Sequence, residues 1–252
     1  MAFYWSNERI EHYWKASLFS GFHKHLAEII KPLCQKKDHL IDIGCGPGPL
    51  SLYLAPCVKH LTAVDVSPQA LARLEEQAVA KQIHNVNYVN CPAEALCDTF
   101  DVVVMSYFGT PFSLMEHCLT LSRRILIRVI DTDKKSLPAG FGKRRERENE
   151  ETVRLALDSL GIPYAVSRHE LEFGQPLKSH EEARSFLKLY YPGVSDDVIG
   201  SYLAQALIPL EHPVYAFYLP RKKKFSVIVC EGQAEDKPVE PKYRFACAEA
   251  DT

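Results

Sequence analysis

The run Asp42-Ile43-Gly44-Cys45-Gly46-Pro47-Gly48 constrains the fold of this chain more than any other stretch of it. A short apolar segment, His39–Ile43, leads into it, and Leu50 to Ala55 after it has helical texture. A buried strand that breaks into glycines and re-enters a helix is a binding turn. The missing side chains let a ligand approach the backbone, and the helix start offers N–H groups. The dinucleotide form of such a turn, G-x-G-x-x-G, is excluded because Pro49 stands where its third glycine would fall. Here the third glycine comes one residue early, and Asp42 precedes the first by two.

The surrounding segments give the turn its setting. Leu61–Val66 reads as a second strand, followed by the helix-start signal Ser67-Pro68 and a face of Leu71, Leu74 and Ala78. Asn85–Val89, Phe100–Met105 and Arg124–Ile130 read as the third to fifth strands, with a short helix at Ser113–Leu121. This alternation predicts a doubly wound α/β fold with parallel pairing and right-handed crossovers. Before it, Ile10, Tyr13, Trp14, Leu18, Phe22, Leu26, Ile29 and Ile30 recur at helical spacing, broken at Gly21 and ended by Pro32. After Thr132 the alternation stops. Helices are expected at Glu150–Leu160, Ser179–Leu189 and Ser195–Ile208, and strand-like alternation at Tyr164–Phe173. Val214–Leu219 and Phe225–Cys230, joined across Pro220-Arg221-Lys222-Lys223-Lys224, read as a terminal hairpin with a solvated basic tip.

Composition narrows the function classes. Thirty Lys and Arg against thirty-two Asp and Glu leave a net charge of −2, so no global field favours a polyanion. Hydrophobic content of 46% and charged content of 25% are those of a globular chain. No apolar run reaches the roughly 18 residues of a membrane span. The first residues lack the basic start and apolar middle of a signal peptide, so a cytoplasmic protein is expected. The eight cysteines show neither C-x-x-C nor zinc-finger spacing, and no metal site or disulfide framework is expected.

The acidic-x-G-x-G-x-G turn resembles the first motif of class I S-adenosylmethionine-dependent methyltransferases. Asp65, some twenty residues on at the end of the second strand, suits a carboxylate that accepts from ribose hydroxyls. Asn85 to Leu96 and Phe100-Asp101-Val102-Val103-Val104-Met105 are similar to the family's third- and fourth-strand segments. The resemblance covers Leu40 to about Ile130. It implies a Rossmann-like, seven-stranded, mostly parallel sheet with an antiparallel last strand, and S-adenosylmethionine as cofactor with S-adenosylhomocysteine as product. The implied cofactor contacts are Asp42, Gly44, Cys45, Gly46, Gly48, Asp65, Val66, Pro92, Ala93, Glu94 and Ser106. One departure stands out. The family commonly has an adenine-binding Asp after the third strand, where Asn90-Cys91-Pro92-Ala93-Glu94 here places proline. Adenine recognition would then fall to the backbone at Pro92–Ala93 or to Glu94. The Asn/Asp-Pro-Pro-Tyr signature of amino-methylating members is absent.

Methyl transfer from a sulfonium is an in-line displacement, accelerated largely by alignment, and a base is needed only for an acceptor that carries a proton. No catalytic residue is assigned; His117, His169 and His180 are weighed as bases without preference. Acceptor contacts are expected from Tyr107 and Asp131, just past strand ends, and from Tyr13 and Trp14, with Tyr4, Trp5 and Phe19 also able to fold over the cofactor. The expected organisation is an N-terminal helical segment (1–36), a cofactor-binding core (37–131), an outer helix with a substrate cap (132–212), a closing hairpin (213–232) and a flexible tail (233–252). A cap carrying Tyr164, Tyr190, Tyr191 and Tyr202 suits a small-molecule acceptor. The alternatives are an RNA or protein methyltransferase using Arg144, Arg145, Arg147 and the 221–224 tip, or a non-catalytic S-adenosylmethionine-binding regulatory protein.

Overall fold

The alternation of residues 39–131 folds into five adjacent strands of a seven-stranded sheet. The computed structural model describes residues 4–109, 112–132, 138–141 and 148–234. Its strands are β1 (His39–Ile43), β2 (His60–Val64), β3 (Val86–Val89), β4 (Phe100–Ser106), β5 (Ser122–Asp131), β6 (Tyr164–Glu172), β7 (Gln175–Leu177), β8 (Ile208–Pro209), β9 (Phe217–Leu219) and β10 (Lys222–Glu231). The main sheet runs β3-β2-β1-β4-β5-β10-β6. Pairs among β1 to β5 are parallel, and β10 is antiparallel to both β5 and β6. Strand order reverses between β1 and β4, which opens a crevice at their carboxyl ends.

The helices are α1 (Asn7–Ser20), α2 (Phe22–Ile30), α3 (Pro49–Leu54), α4 (Pro68–Ala80), α5 (Phe112–Thr120), α6 (Glu150–Ser159), α7 (His180–Tyr190) and α8 (Asp196–Ala206). Ser6 starts α1 by accepting from the Arg9 N–H, and Gly21 at φ +66° turns the chain from α1 into α2. One core lies beneath α1 to α4, around Phe22, Leu26, Leu54, Leu74 and Phe225. The other lies beneath α5 and α6, around Met105, Leu119, Leu126 and Leu157. Among the described residues, no helix is long and apolar enough to cross a membrane.

The closing hairpin does not form between the two runs expected to make it. β9 pairs with β7 and β8 in a separate three-stranded sheet, while β10 pairs with β6 from Lys222↔Glu172 to Cys230↔Tyr164. Tyr164–Phe173 is therefore a strand of the main sheet, and the hairpin is β6–β10 with residues 174–221 inserted at its tip. Glu172 explains the redirection: its Oε1 accepts from both the Arg221 N–H and the Tyr218 hydroxyl, and Phe173 N donates to the Arg221 carbonyl. These bonds pinch the neck of the insertion. Beyond it α7, α8, β7 and β9 build their own cluster on Leu177, Leu187, Ile199, Leu203 and Leu219. Residues 174–221 build most of this unit, here called the cap, and Phe141 packs into its cluster on Tyr191 and Tyr202.

The solvated tip also differs from expectation. Strand alternation exposes Lys222 and Lys224, both near Glu170, and sends Lys223 inward at 9% exposure. Gln233 and Ala234, assigned to the tail, instead donate to the Leu119 and Ser122 carbonyls. The rest of that tail, and Arg144, Arg145 and Arg147, lie outside the described residues.

Candidate active site

The glycine turn needs glycine for two reasons. Gly44 and Gly46 have φ +72° and +56°, where a side chain is strained. Two aromatic rings also lie against them: a Cβ on Gly44 would stand 2.2 Å from the ring of Phe108, and one on Gly46 2.8 Å from that of Trp5. The N–H groups of Gly44 and Cys45 both donate to the Val64 carbonyl, fastening the turn to the end of β2. Asp65 follows directly. Its Oδ2 accepts from the Gly46 N–H at 2.8 Å and its Oδ1 from the Ser67 N–H at 2.9 Å. Asn90 holds the Asp65 carbonyl through its side-chain amide, at 2.9 Å. Desolvation raises the Asp65 carboxyl, and the two backbone donors work against that rise.

Asp42 lies beneath the turn at 2% exposure, where its Oδ2 accepts from Ser51 Oγ at 2.5 Å. Burial pushes its carboxyl up to about 6 despite this bond. The Cys45 thiol is raised well above its ordinary value by burial, with Asp42 and Asp65 adding to the effect, so it stays protonated. Val66 is 49% exposed, as are Pro92 and Glu94 to a large degree, whereas Ala93 is buried in the α5-side core. These four stand past the carboxyl ends of β2 and β3, at the rim of the crevice.

Ser106 ends β4, and Tyr107 follows in the left-handed region at φ +52°. That conformation is costly for a tyrosine and is held by its N–H bond to the Val129 carbonyl. Arg128, fully buried in β5, donates from Nη1 to the Phe108 carbonyl at 2.6 Å and from Nη2 to Glu148 at 2.9 Å. The segment that lies over Gly44 is therefore clamped from inside the sheet.

Tyr13 and Trp14, neighbours on α1, point apart. Trp14 is buried and lines a cavity of about 340 Å³ with Arg73, Gln77, His212 and Tyr215, away from the glycine turn. Tyr13 meets Trp5 edge-to-face at 5.1 Å and Phe173 at 5.5 Å, and its hydroxyl is 2.8 Å from His23 Nε2. His23 Nδ1 lies 2.7 Å from Ser17 Oγ. Burial, reinforced by the charge of Lys223, pushes His23 well below its ordinary value, so its ring is neutral.

Beyond these, a cluster of rings packs around one cation. The Lys223 ammonium is 3.8 Å from the ring centre of Tyr107, 4.5 Å from that of Phe173 and 4.9 Å from that of Phe22. Phe225 joins the cluster, 6.0 Å from Phe22 and 6.3 Å from Tyr107. Asp131, at the end of β5, sits opposite Phe225 in the ladder and adds to burial in raising the Tyr107 hydroxyl. That hydroxyl is buried and has no hydrogen-bond partner among the described residues.

Of the three histidines weighed as bases, only His169 borders the ring cluster. His117 binds the Leu96 carbonyl, His180 packs on Phe217 in the cap, and His169 stacks on Phe225 and bonds Ser167. Sequence reasoning missed His23, Asn90, Arg128 and the inward course of Lys223. Two of them left a signal: Arg128 interrupts the apolar run Ile125–Ile130, and His23 falls on the apolar face of its helix.

Comparisons with known proteins agree with this geometry. Residues 40–126 match the family model described as a methyltransferase domain. The ubiquinone biosynthesis O-methyltransferase of Paraburkholderia xenovorans is 33% identical over 90 residues, 32% of this chain and 38% of that one. An uncharacterized RNA methyltransferase of Staphylococcus epidermidis is 38% identical over 52 residues, 21% of this chain and 11% of that one. The chain thus spans well under half the length of these two curated relatives. Among solved structures, the YcgJ protein of Bacillus subtilis superposes with a TM-score of 0.56 at 16% identity, covering 84% of this chain and 100% of that one. The glycine turn and the carboxylate at the end of β2 thus lie in a segment, residues 40–126, that is similar to a methyltransferase domain, within a sheet whose strand order is of the class I S-adenosylmethionine-dependent type.

Proposed function

We propose that the chain methylates a small molecule, using S-adenosylmethionine bound over the glycine turn. The observation that supports this reading is the cluster of aromatic rings at the carboxyl end of β4, which adjoins the turn through Tyr13 and Tyr107 and is bordered by the neck of the cap at Phe173. The residues present fit the cofactor. Gly44 and Gly46 let the rings of Phe108 and Trp5 close onto the backbone of the turn, and Asp65 keeps acceptor capacity for hydroxyls after its two backbone bonds. The backbone at Pro92–Ala93 and the Ser106 segment complete the rim. When bound, the cofactor supplies a methyl group on a positively charged sulfur.

The chain's own part is alignment and exclusion of water. Trp5 and Phe108 cover the turn, Arg128 fixes the Phe108 backbone, and Tyr13 is oriented by His23 and Ser17. Such preorganisation needs no acid–base triad. The test has two arms. Calorimetry should show S-adenosylhomocysteine binding with no comparable affinity for NAD. Labelled methyl from the cofactor should then appear in a low-molecular-weight metabolite fraction; its appearance only in RNA or protein would replace the small-molecule reading.

A further inference from the structure

We infer that the indole of Trp5 is a gate on the cofactor seat, latched to the cap by Arg9, and that it must swing off Gly46 before a ligand can reach the backbone of the turn. This rests on reading the glycine turn as the seat of S-adenosylmethionine. A Cβ on Gly46 would meet three atoms of the indole, Cζ2 at 2.8 Å, Cε2 at 3.1 Å and Nε1 at 3.3 Å. The ring thus already uses the close approach that the missing side chain allows, and a ligand cannot share that volume with it.

Of the two rings on the turn, Phe108 is the fixed one. Its carbonyl is held by the buried Arg128, and the N–H of Tyr107 before it is bonded to Val129. Trp5 stands instead ahead of α1, next to the N-cap residue Ser6. The helix itself is anchored by Ile10, Trp14 and Ala16, all buried. Rotation about the Trp5–Ser6 backbone therefore lifts the indole while α1 stays in place, at the cost of the edge-to-face contact with Tyr13 at 5.1 Å.

Arg9 is the latch. Its Nη1 donates to the Tyr4 carbonyl at 2.9 Å, and its Nη2 to the Leu189 carbonyl at 3.0 Å, near the end of α7. The guanidinium also lies 5.7 Å from the ring centre of Tyr190, the last residue of α7. One side chain on α1 thus joins the segment that carries Trp5 to the cap. Tyr4 is 69% exposed, so its own burial does little to hold that segment down. Cap position and cofactor admission are coupled through this latch. Ligand entry is slowed by the fraction of time the ring spends on Gly46.

Surface plasmon resonance on the immobilised full chain, with S-adenosylhomocysteine as analyte, reads entry and exit separately. Trp5→Ala should raise the entry rate at least tenfold. Exit should quicken as well, because the ligand leaves by the path it enters. Arg9→Leu keeps the indole but removes the latch, and should raise the entry rate by a smaller factor. Entry no faster than wild type in Trp5→Ala would overturn the gate, and a gain there with none in Arg9→Leu would overturn the latch. If Trp5→Ala does not fold, Trp5→Phe decides with its smaller ring: it should admit the ligand faster than wild type, and an equal or slower rate would overturn the gate. Wild-type protein that binds no S-adenosylhomocysteine would instead sink the cofactor reading, and the gate with it.

Discussion

A guanidinium from the interior of the sheet determines where an aromatic ring lies above the glycine turn: Arg128 Nη1 holds the Phe108 carbonyl at 2.6 Å. Its other arm pairs with Glu148, so one buried cation ties β5, the segment after β4 and the approach to α6 together. Burial lowers the Arg128 pKa, and Glu148 opposes that.

Removing this clamp should damage stability and binding together. Arg128→Leu leaves Glu148 without its buried partner, a change worth about 3–5 kcal/mol for such pairs. The Phe108 ring loses its anchor as well. Thermal melts should show a clear fall in Tm, and S-adenosylhomocysteine affinity should drop at least tenfold. A variant with lowered Tm and unchanged affinity would show that the clamp does not reach the cofactor site.

Gly44→Ala tests the turn. At φ +72° a Cβ costs about 1–2 kcal/mol by conformation alone. It would also collide with the Phe108 ring, so the turn or the ring must move. Cofactor affinity should fall more than tenfold. Gly193→Ala, with nothing within 4 Å of its Cβ, is the control and should match wild type in both Tm and calorimetry.

Asp65 has a structural task that the sequence does not disclose. Asp65→Ala removes two backbone hydrogen bonds to a carboxylate, each worth about 1.5–3 kcal/mol before water compensates. Melting temperature and cofactor affinity should therefore fall together. Asp65→Asn, which keeps one acceptor oxygen, should fall between wild type and alanine in both measurements.

Two carboxylates set opposite pH dependences. The Asp42 carboxyl is raised from 3.8 to about 6 by burial, so the unfolded chain releases this proton first. Its contribution is fully present below pH 3.8 and is lost as pH rises to about 6, a change of about 3 kcal/mol. Glu150 behaves the other way. Arg168 and Ser226, with Arg154 assisting, hold it down to about 2, so its contribution is present above 4.5 and lost as pH falls toward 2. Urea unfolding between pH 4 and 7 should show Asp42→Asn gaining on wild type with rising pH. Glu150→Gln should lose least relative to wild type at the acid end. A reversed slope in either variant would refute the corresponding assignment.

The sheet from β1 to β5 was legible because each strand is a local apolar run followed by a turn signal, and the glycine turn announces itself within seven residues. The pairing of β10 was not, since a strand between β5 and β6 is chosen by contacts up to about a hundred residues away in sequence. Pro220 looked like a hairpin connection; the competing bonds of Glu172 to Arg221 and Tyr218 turned it into the neck of the cap. The basic run 221–224 hid Lys223 for a related reason. Charge suggests solvent, and only the strand register shows which of four adjacent cations points inward. Tyr13 and Trp14 were indistinguishable as neighbours until the helix face was fixed.

The place of β10 in the sheet also sets an order of assembly. A chain emerging from the ribosome has its glycine turn, Asp65 and the ladder through β5 in hand by Asp131. β6 can be synthesised but has no neighbour to join until residues 222–231 arrive to fill the gap beside β5. Closing so long a loop is slow, so the nucleotide half matures well before the half that carries Lys223 and Phe225. During that interval the β5 edge, rich in Ile and Val, is an open template for other strands. A growing chain is therefore most exposed to misassembly in the stretch of synthesis that produces its cap.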